Sequence, residues 1–123
     1  MRLEELEIYK LAMSSSNDIW EIYLQLPKQF KFNMGDQVLR SIDSIGANIA
    51  EGFGRYHYRD SMRFYYNARG SLFESKHWLE LLLNRNLIDK EKYRLLKDKL
   101  DTLGIKLNNF INSIKRQYLN NNE

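Results

Sequence analysis

A chain of 123 residues, 43% of them apolar and 28% charged, is long enough for one domain with a buried core and too apolar for a disordered segment. It has no cysteine, which excludes a disulfide framework and a thiolate metal site, and its net charge of +3 permits contact with nucleic acid without demanding it. The opening run MRLEELEIYK is unlike a secretory signal, and no stretch approaches the roughly 18 consecutive apolar residues of a membrane span, so a cytoplasmic location with no membrane partner is expected.

Hydrophobic periodicity predicts four helices and no strand. The first covers about residues 4–25, with apolar positions at Leu6, Tyr9, Ala12, Met13, Ile19, Trp20 and Tyr23, and is weakened locally by Ser14, Ser15 and Ser16. Pro27 then punctuates the chain, and residues 28–33 read as a loop. A second helix runs from about Met34, with Asn33 as its N-cap, to the glycines at 52 and 54. The third spans Arg59 to Asn84. After the turn RNLID, Asp89 caps a fourth helix that reaches about Tyr118. Residues 1–119 form a single domain, and 120–123 a frayed tail.

Helix four has the cleanest pattern. Tyr93, Leu96, Leu100, Leu103, Leu107, Phe110 and Ile114 advance by 3, 4, 3, 4, 3, 4, the seam of helices packed nearly parallel to one another. Four such helices with short connections specify an all-α fold, an antiparallel up-down-up-down four-helix bundle.

Helix two carries SIGANIAEGFGR, Ser44 to Arg55, and has three distinct faces. Val38, Ile42, Ile45, Ile49 and Phe53 form an ordinary core stripe. Gly46, Ala47, Ala50 and Gly54 make a second face of small residues, and Ser44, Asn48, Glu51 and Arg55 a polar line. A glycine inside a helix costs about 1 kcal/mol relative to alanine, so Gly46 implies close approach of another backbone. The small face is therefore expected to be a subunit interface. Gly52 and Gly54 have a second explanation as C-terminal caps.

GFGRYH is neither a dinucleotide fingerprint nor a P-loop, since it follows a helix and lacks the lysine. No carboxylate, histidine or nucleophile lies at useful spacing from Glu51, so no catalytic residue is assigned. Glu51 is expected to pair with Arg55 or with a neighbouring helix, and Asn48 reads as a partly buried, hydrogen-bonded side chain.

Helix three has a core stripe of Tyr65, Ala68, Leu72, Leu79, Leu82 and Leu83. Opposite it, Arg59, Arg63, Tyr66, Gly70, Phe73 and His77 step by 4, 3, 4, 3, 4. This second stripe reads as a solvated face, as a subunit interface (Tyr66, Gly70 and Phe73), or as nucleic-acid contact by its arginine end. Within residues 55–69, Arg55, Arg59, Arg63 and Arg69 face Asp60 alone, which gives this window the same +3 as the whole chain. Tyr56 and Tyr58 in the same window could stack on exposed bases. Glu74-Ser-Lys-His77 is a lone E-x-x-H where a di-iron bundle needs two plus further glutamates, so neither metal nor cofactor is expected.

SIGANIAEGFGR in helix two and GSLFES at 70–75 in helix three resemble the S-x-x-x-N-I-A-E-G-x-G-R and G-S-x-x-E signatures of a bacterial four-helix-bundle family. Its members are proteins encoded in intervening sequences of large-subunit ribosomal RNA genes, and the chain is similar also to the accessory variability protein of diversity-generating retroelements. The resemblance spans nearly the whole chain. It implies a homopentamer, a barrel-like ring of bundles with a basic surface that binds nucleic acid, and no catalytic activity. The motif positions Asn48, Ile49, Ala50, Glu51, Gly52, Gly54, Arg55, Gly70, Ser71 and Glu74 carry over with an architectural role, making Asn48, Glu51 and Glu74 structural polar residues. Gly46-Ala47 stands where the family often shows Pro-Ser.

Two functions are compatible with this reading. One is a non-enzymatic oligomer that binds RNA or DNA through Arg55, Arg59, Arg63, Arg69, Tyr56 and Tyr58. The other is a scaffold that recruits a nucleic-acid-processing protein partner without gripping nucleic acid itself.

Overall fold

A computed structural model describes residues 1–121. Four long helices carry the fold: α1 (Glu7–Gln25), α2 (Asp36–Gly54), α3 (Tyr58–Asn84) and α4 (Lys90–Asn121), with a 3-10 turn at Leu3–Glu5 ahead of α1. Among the described residues there is no strand, and no helix is long and apolar enough to cross a membrane. Residues 120 and 121, expected in a frayed tail, continue α4; the rest of that tail, 122–123, lies outside the described residues.

Cross-helix pairs fix the directions. Tyr23 meets Asp36 while Ala12 lies against Gly46, so α1 and α2 run antiparallel. Ser41 meets Ser75 while Gly52 meets Tyr65, which sets α2 against α3 in the same sense. Glu80 with Tyr93, Lys76 with Asp101 and Tyr58 with Tyr118 do this for α3 and α4. Finally Asp18 with Lys99 and Glu7 with Lys106 close α4 onto α1. The helices thus pack around one core in the up-down-up-down order that short connections dictate.

Leucine and isoleucine fill that core. Val38, Ile42, Ile45 and Ile49 of α2 and Leu100, Leu103 and Leu107 of α4 are wholly buried. Past Leu107 the α4 seam passes to Ile111, and Phe110 and Ile114 are only half-buried. A straight helix of 3.6 residues per turn drifts about 20° per heptad against a 3.5 repeat, so the predicted Phe110–Ile114 continuation moves to the edge of the core, against which both side chains still pack.

Helix α1 buries the expected Leu6, Ala12 and Ile19 and packs Tyr9 and Tyr23 against the core, but its buried face is rotated from the one expected at Met13 and Trp20. Ile8, Ala12, Ser15, Ile19 and Ile22 are buried, whereas Met13 and Trp20 are exposed. The Ser15 hydroxyl donates to the Leu11 carbonyl at 2.8 Å, which satisfies it inside the core, so a residue expected to weaken the helix locally is one of its core positions. In the same way the buried Ser41 donates to the Val38 carbonyl, and the Ser75 hydroxyl lies 3.1 Å from Ser41 Oγ and 2.8 Å from the Ser71 carbonyl.

The connection from α1 to α2 is helical, a correction to the predicted loop. Pro27 precedes a turn at Lys28–Phe30, followed by a π-helical segment at Lys31–Gly35 that runs directly into α2. Proline's fixed φ suits a helix start, so it opens this turn as well as ending α1. Asn33 is not the N-cap of α2. It lies inside the π segment, its Oδ1 accepting from its neighbour Met34 and its Nδ2 donating to the Gln29 carbonyl.

The other two connections are sharp. Arg55, in extended conformation, ends α2, and α3 begins three residues later. Helix α3 ends with Asn86 at φ 58°, while the amides of Asn86 and Leu87 donate to the carbonyls of Leu83 and Leu82, a Schellman closure. Asp89 caps α4 as expected, its Oδ1 accepting the Lys92 amide at 2.9 Å.

Candidate functional site

The glycines of α2 and α3 divide into covered and uncovered positions. Gly46 is buried within the protomer: a Cβ there would lie 3.7 Å from Ala12 Cβ. The close approach it was expected to signal is to α1 of the same chain, which removes Gly46 from the surface available to a partner. Gly52 is also more than a helix terminator, because an added Cβ would meet the Tyr65 ring at 2.6 Å. No glycine has positive φ, so neither Gly52 nor Gly54 is a left-handed cap. Around Gly54 and Gly70, by contrast, an added Cβ would have nothing within 4 Å.

Ala47, Ala50 and Gly54 remain on the outside, where they border a shallow open groove with Glu51 and Arg55. The polar line beside them is internally satisfied. Asn48 Nδ2 donates to the Ser44 carbonyl at 2.9 Å, and Arg55 Nη2 donates to Glu51 Oε2 at 3.2 Å, the expected i,i+4 pair. Glu74 accepts from the Trp78 indole at 3.0 Å, while His77 sets its ring against the same indole. Among the described residues, no group of three or more histidine and acidic side chains could hold a metal ion.

Three arginines gather where α2 turns into α3. The guanidinium of Arg55 lies 4.8 Å and that of Arg63 4.9 Å from the Phe64 ring centre, while Arg59 is exposed one turn before Arg63. Among the described residues, Arg59 and Arg63 take part in no ion pair, and Arg55 shares only Glu51. Asp60 is the acid next to them in the chain, while Glu4 and Glu5 are engaged with Arg2 and Glu7 with Lys106. Tyr56 projects from the turn with 95% of its surface exposed.

The structure does not bring the whole predicted set together. Tyr58 is half-buried and stacks face to face on Tyr118 of α4, 3.9 Å between ring centres. Arg69 lies about 9 Å further along α3 than Arg63 and donates to Asn108 of α4 at 3.4 Å, in the α3–α4 groove. Neither partner was legible from sequence, because each lies more than a helix away along the chain.

The outer stripe of α3 is exposed throughout, Tyr66 at 40% and Phe73 at 60%. Sequence reasoning missed that α4 extends it. Ile105, 64% exposed, shares the α3–α4 groove with Phe73, Lys76 lies over the Phe73 ring, and Lys115 lies over Tyr66. An apolar Ile105 outside the α4 seam is the signal that could have revealed it.

The shifted titrations belong to helix packing. Hydrogen bonds from Lys76 and Lys97 hold the Asp101 carboxyl below the usual carboxylate range. Tyr93 is pushed up to about 12, chiefly by donating to Glu80, and burial alone pushes Tyr65 up to about 12. All three lie in the α3–α4 seam, and none borders the arginine cluster.

The molecule is thus a small all-α protein of four antiparallel helices whose distinguishing surface is a cationic, aromatic turn beside an exposed aromatic stripe. The chain belongs to the 23S rRNA-intervening sequence protein family, whose model matches residues 4–109. This is the family that SIGANIAEGFGR and GSLFES resemble. Among solved structures it is similar to a protein of unknown function from the S23 ribosomal protein family of Bacteroides thetaiotaomicron, with 28% identity and a TM-score of 0.79 over 85% of this chain and 97% of that one. None of the curated proteins matches the chain.

Proposed function

We propose that the protein is a non-enzymatic, homo-oligomeric accessory protein that binds nucleic acid through the α2–α3 turn, acting in the cytoplasm. The carrying observation is the placing of Arg55 and Arg63 against Phe64 with the exposed Arg59 between them in the chain, next to a fully projecting Tyr56, with Glu51 as the one acid paired into it. Guanidinium groups neutralise phosphates and release counterions, and an exposed ring offers a stacking surface.

A titration across salt concentration tests this. Log affinity should fall as log salt rises, with a slope of about −0.7 to −0.9 per phosphate contacted, and the combined change R55A/R59A/R63A should flatten it. A salt-independent signal, or no binding at low salt, overturns the reading.

Assembly is proposed on separate grounds, with the five subunits the resemblance implies. Tyr66 and Phe73 with Ile105 on one side, and Ala47, Ala50 and Gly54 on the other, are apolar surfaces that the protomer leaves open. Ala47→Leu and Ala50→Leu should lower the mass seen by light scattering while helix content is unchanged. If both variants keep the parent's mass, the small-residue face is not an interface. The same exposed stripe favours the scaffold reading should nucleic acid fail to bind, with a protein partner in its place.

A further inference from the structure

We infer that the ligand of the α2–α3 turn is an unpaired nucleic-acid strand, recognised by a base stacked on Tyr56 together with phosphates on Arg59 and Arg63. This rests on the nucleic-acid reading above and narrows it to a substrate class. Tyr56 is 95% exposed, and its ring stands perpendicular to that of His57 with 5.2 Å between centres. Nearly all of the ring surface is therefore open to a flat ligand. The ring is nevertheless held on a stiff support. Arg55 and His57 are extended and lead directly into packed helices. The Arg55 amide donates to Gly52, and Ser61 ties the turn down by donating to the carbonyls of both Arg55 and His57. The backbone that carries the ring is thus fixed, and only the side chain's own rotations remain to be ordered when a base lands on it.

Charge alone does not select a duplex here. Arginine neutralises the phosphates of a single strand as it does those of a duplex. This turn offers three arginines per protomer, one of them shared with Glu51. Base–aromatic stacking adds roughly a 5- to 150-fold gain in affinity per base. Only a strand with free base faces can collect that gain, because a duplex has already stacked its bases on one another. Tyr58, two residues on, has a face covered by Tyr118, which singles out Tyr56 as the stacking residue.

Fluorescence anisotropy with four probes of equal length tests the inference: a uridine RNA strand, a thymidine DNA strand, a blunt duplex, and an abasic strand that keeps the phosphates. A base-bearing single strand should bind at least about tenfold tighter than the duplex and the abasic strand. Whichever of RNA or DNA is preferred then identifies the sugar. Tyr56→Ala should weaken the base-bearing strand by roughly 5- to 150-fold and leave the abasic strand unaffected, with Tyr56→Phe retaining affinity. The exposure of Tyr56 makes both variants neutral for folding. Equal or tighter binding of the duplex or the abasic strand overturns the inference and leaves the broader reading standing. Absence of binding to all four probes at low salt overturns both.

Discussion

Gly52, in the last turn of α2, and Gly70, midway along α3, occupy opposite surroundings. At Gly52 a Cβ would collide with the Tyr65 ring at 2.6 Å, whereas at Gly70 it would find nothing within 4 Å. Each glycine carries the same helix-propensity cost of about 1 kcal/mol against alanine. For Gly52 the isolated protomer supplies the reason, namely the seat of a buried tyrosine that itself sets its ring edge-on against Phe110. For Gly70 the protomer supplies none, and the position lies between the exposed Tyr66 and Phe73. The inner seam of the α2–α3 hairpin is accounted for by its own fold, and the outer face asks for something from outside it.

The contrast is most sharply tested at Gly52. Gly52→Ala should cost about 3 kcal/mol, the upper end of the overpacking range, since the Tyr65 ring is 3% exposed and has nowhere to swing. Urea unfolding measures it, and a loss below about 0.5 kcal/mol would mean that the seam is looser than drawn.

Next in size is an alkaline limb from the same tyrosine. Burial favours the neutral phenol and raises the folded pKa from 10.0 to about 12. The stabilising contribution is therefore fully present below pH 10 and is lost as the pH climbs from there through about 12. Stability should fall by about 1.4 kcal/mol per pH unit in that window beyond the decline in Tyr65→Phe. Parallel curves for the two proteins would show that Tyr65 is not the group responsible.

The smallest effect has the opposite sign. Gly70→Ala should stabilise the protomer by about 0.4–1 kcal/mol, because the added methyl meets open space and the unfolded chain loses freedom. Destabilisation measured at a dilution where only protomers are present would place an unseen neighbour within the chain itself.

Much of the fold was legible because apolar residues keep helical spacing where nothing interferes, as from Leu96 to Leu107 in α4 and from Val38 to Ile49 in α2. Helix α1 misled for a physical reason. Its buried line of Ile8, Ala12, Ser15, Ile19 and Ile22 contains a serine that bonds its own backbone, while the bulkier Met13 and Trp20 point outward. Residue type put Met13 and Trp20 beside Ala12 and Ile19, and burial chose Ile8, Ser15 and Ile22 in their place. The 28–33 segment failed because proline was read only as a terminator, although it also starts a helical turn. At the candidate site, the outward stripe of α3 and the Glu51–Arg55 pair followed from spacing alone. The commitments of Tyr58 to Tyr118, Arg69 to Asn108 and Gly46 to Ala12 did not, since they depend on which helices become neighbours.

The facing hydroxyls of Ser41 and Ser75 act as a vernier between two otherwise greasy rods. Aliphatic side chains would tolerate α2 sliding along α3 by a turn, since one isoleucine looks much like the next. Such a slip would leave each serine opposite hydrocarbon, forfeiting the contact between them at a penalty on the order of 1 kcal/mol. Two small alcohols thereby favour one alignment of the hairpin, and with it the spacing at which Tyr56 and its arginines are held out from the end of the molecule.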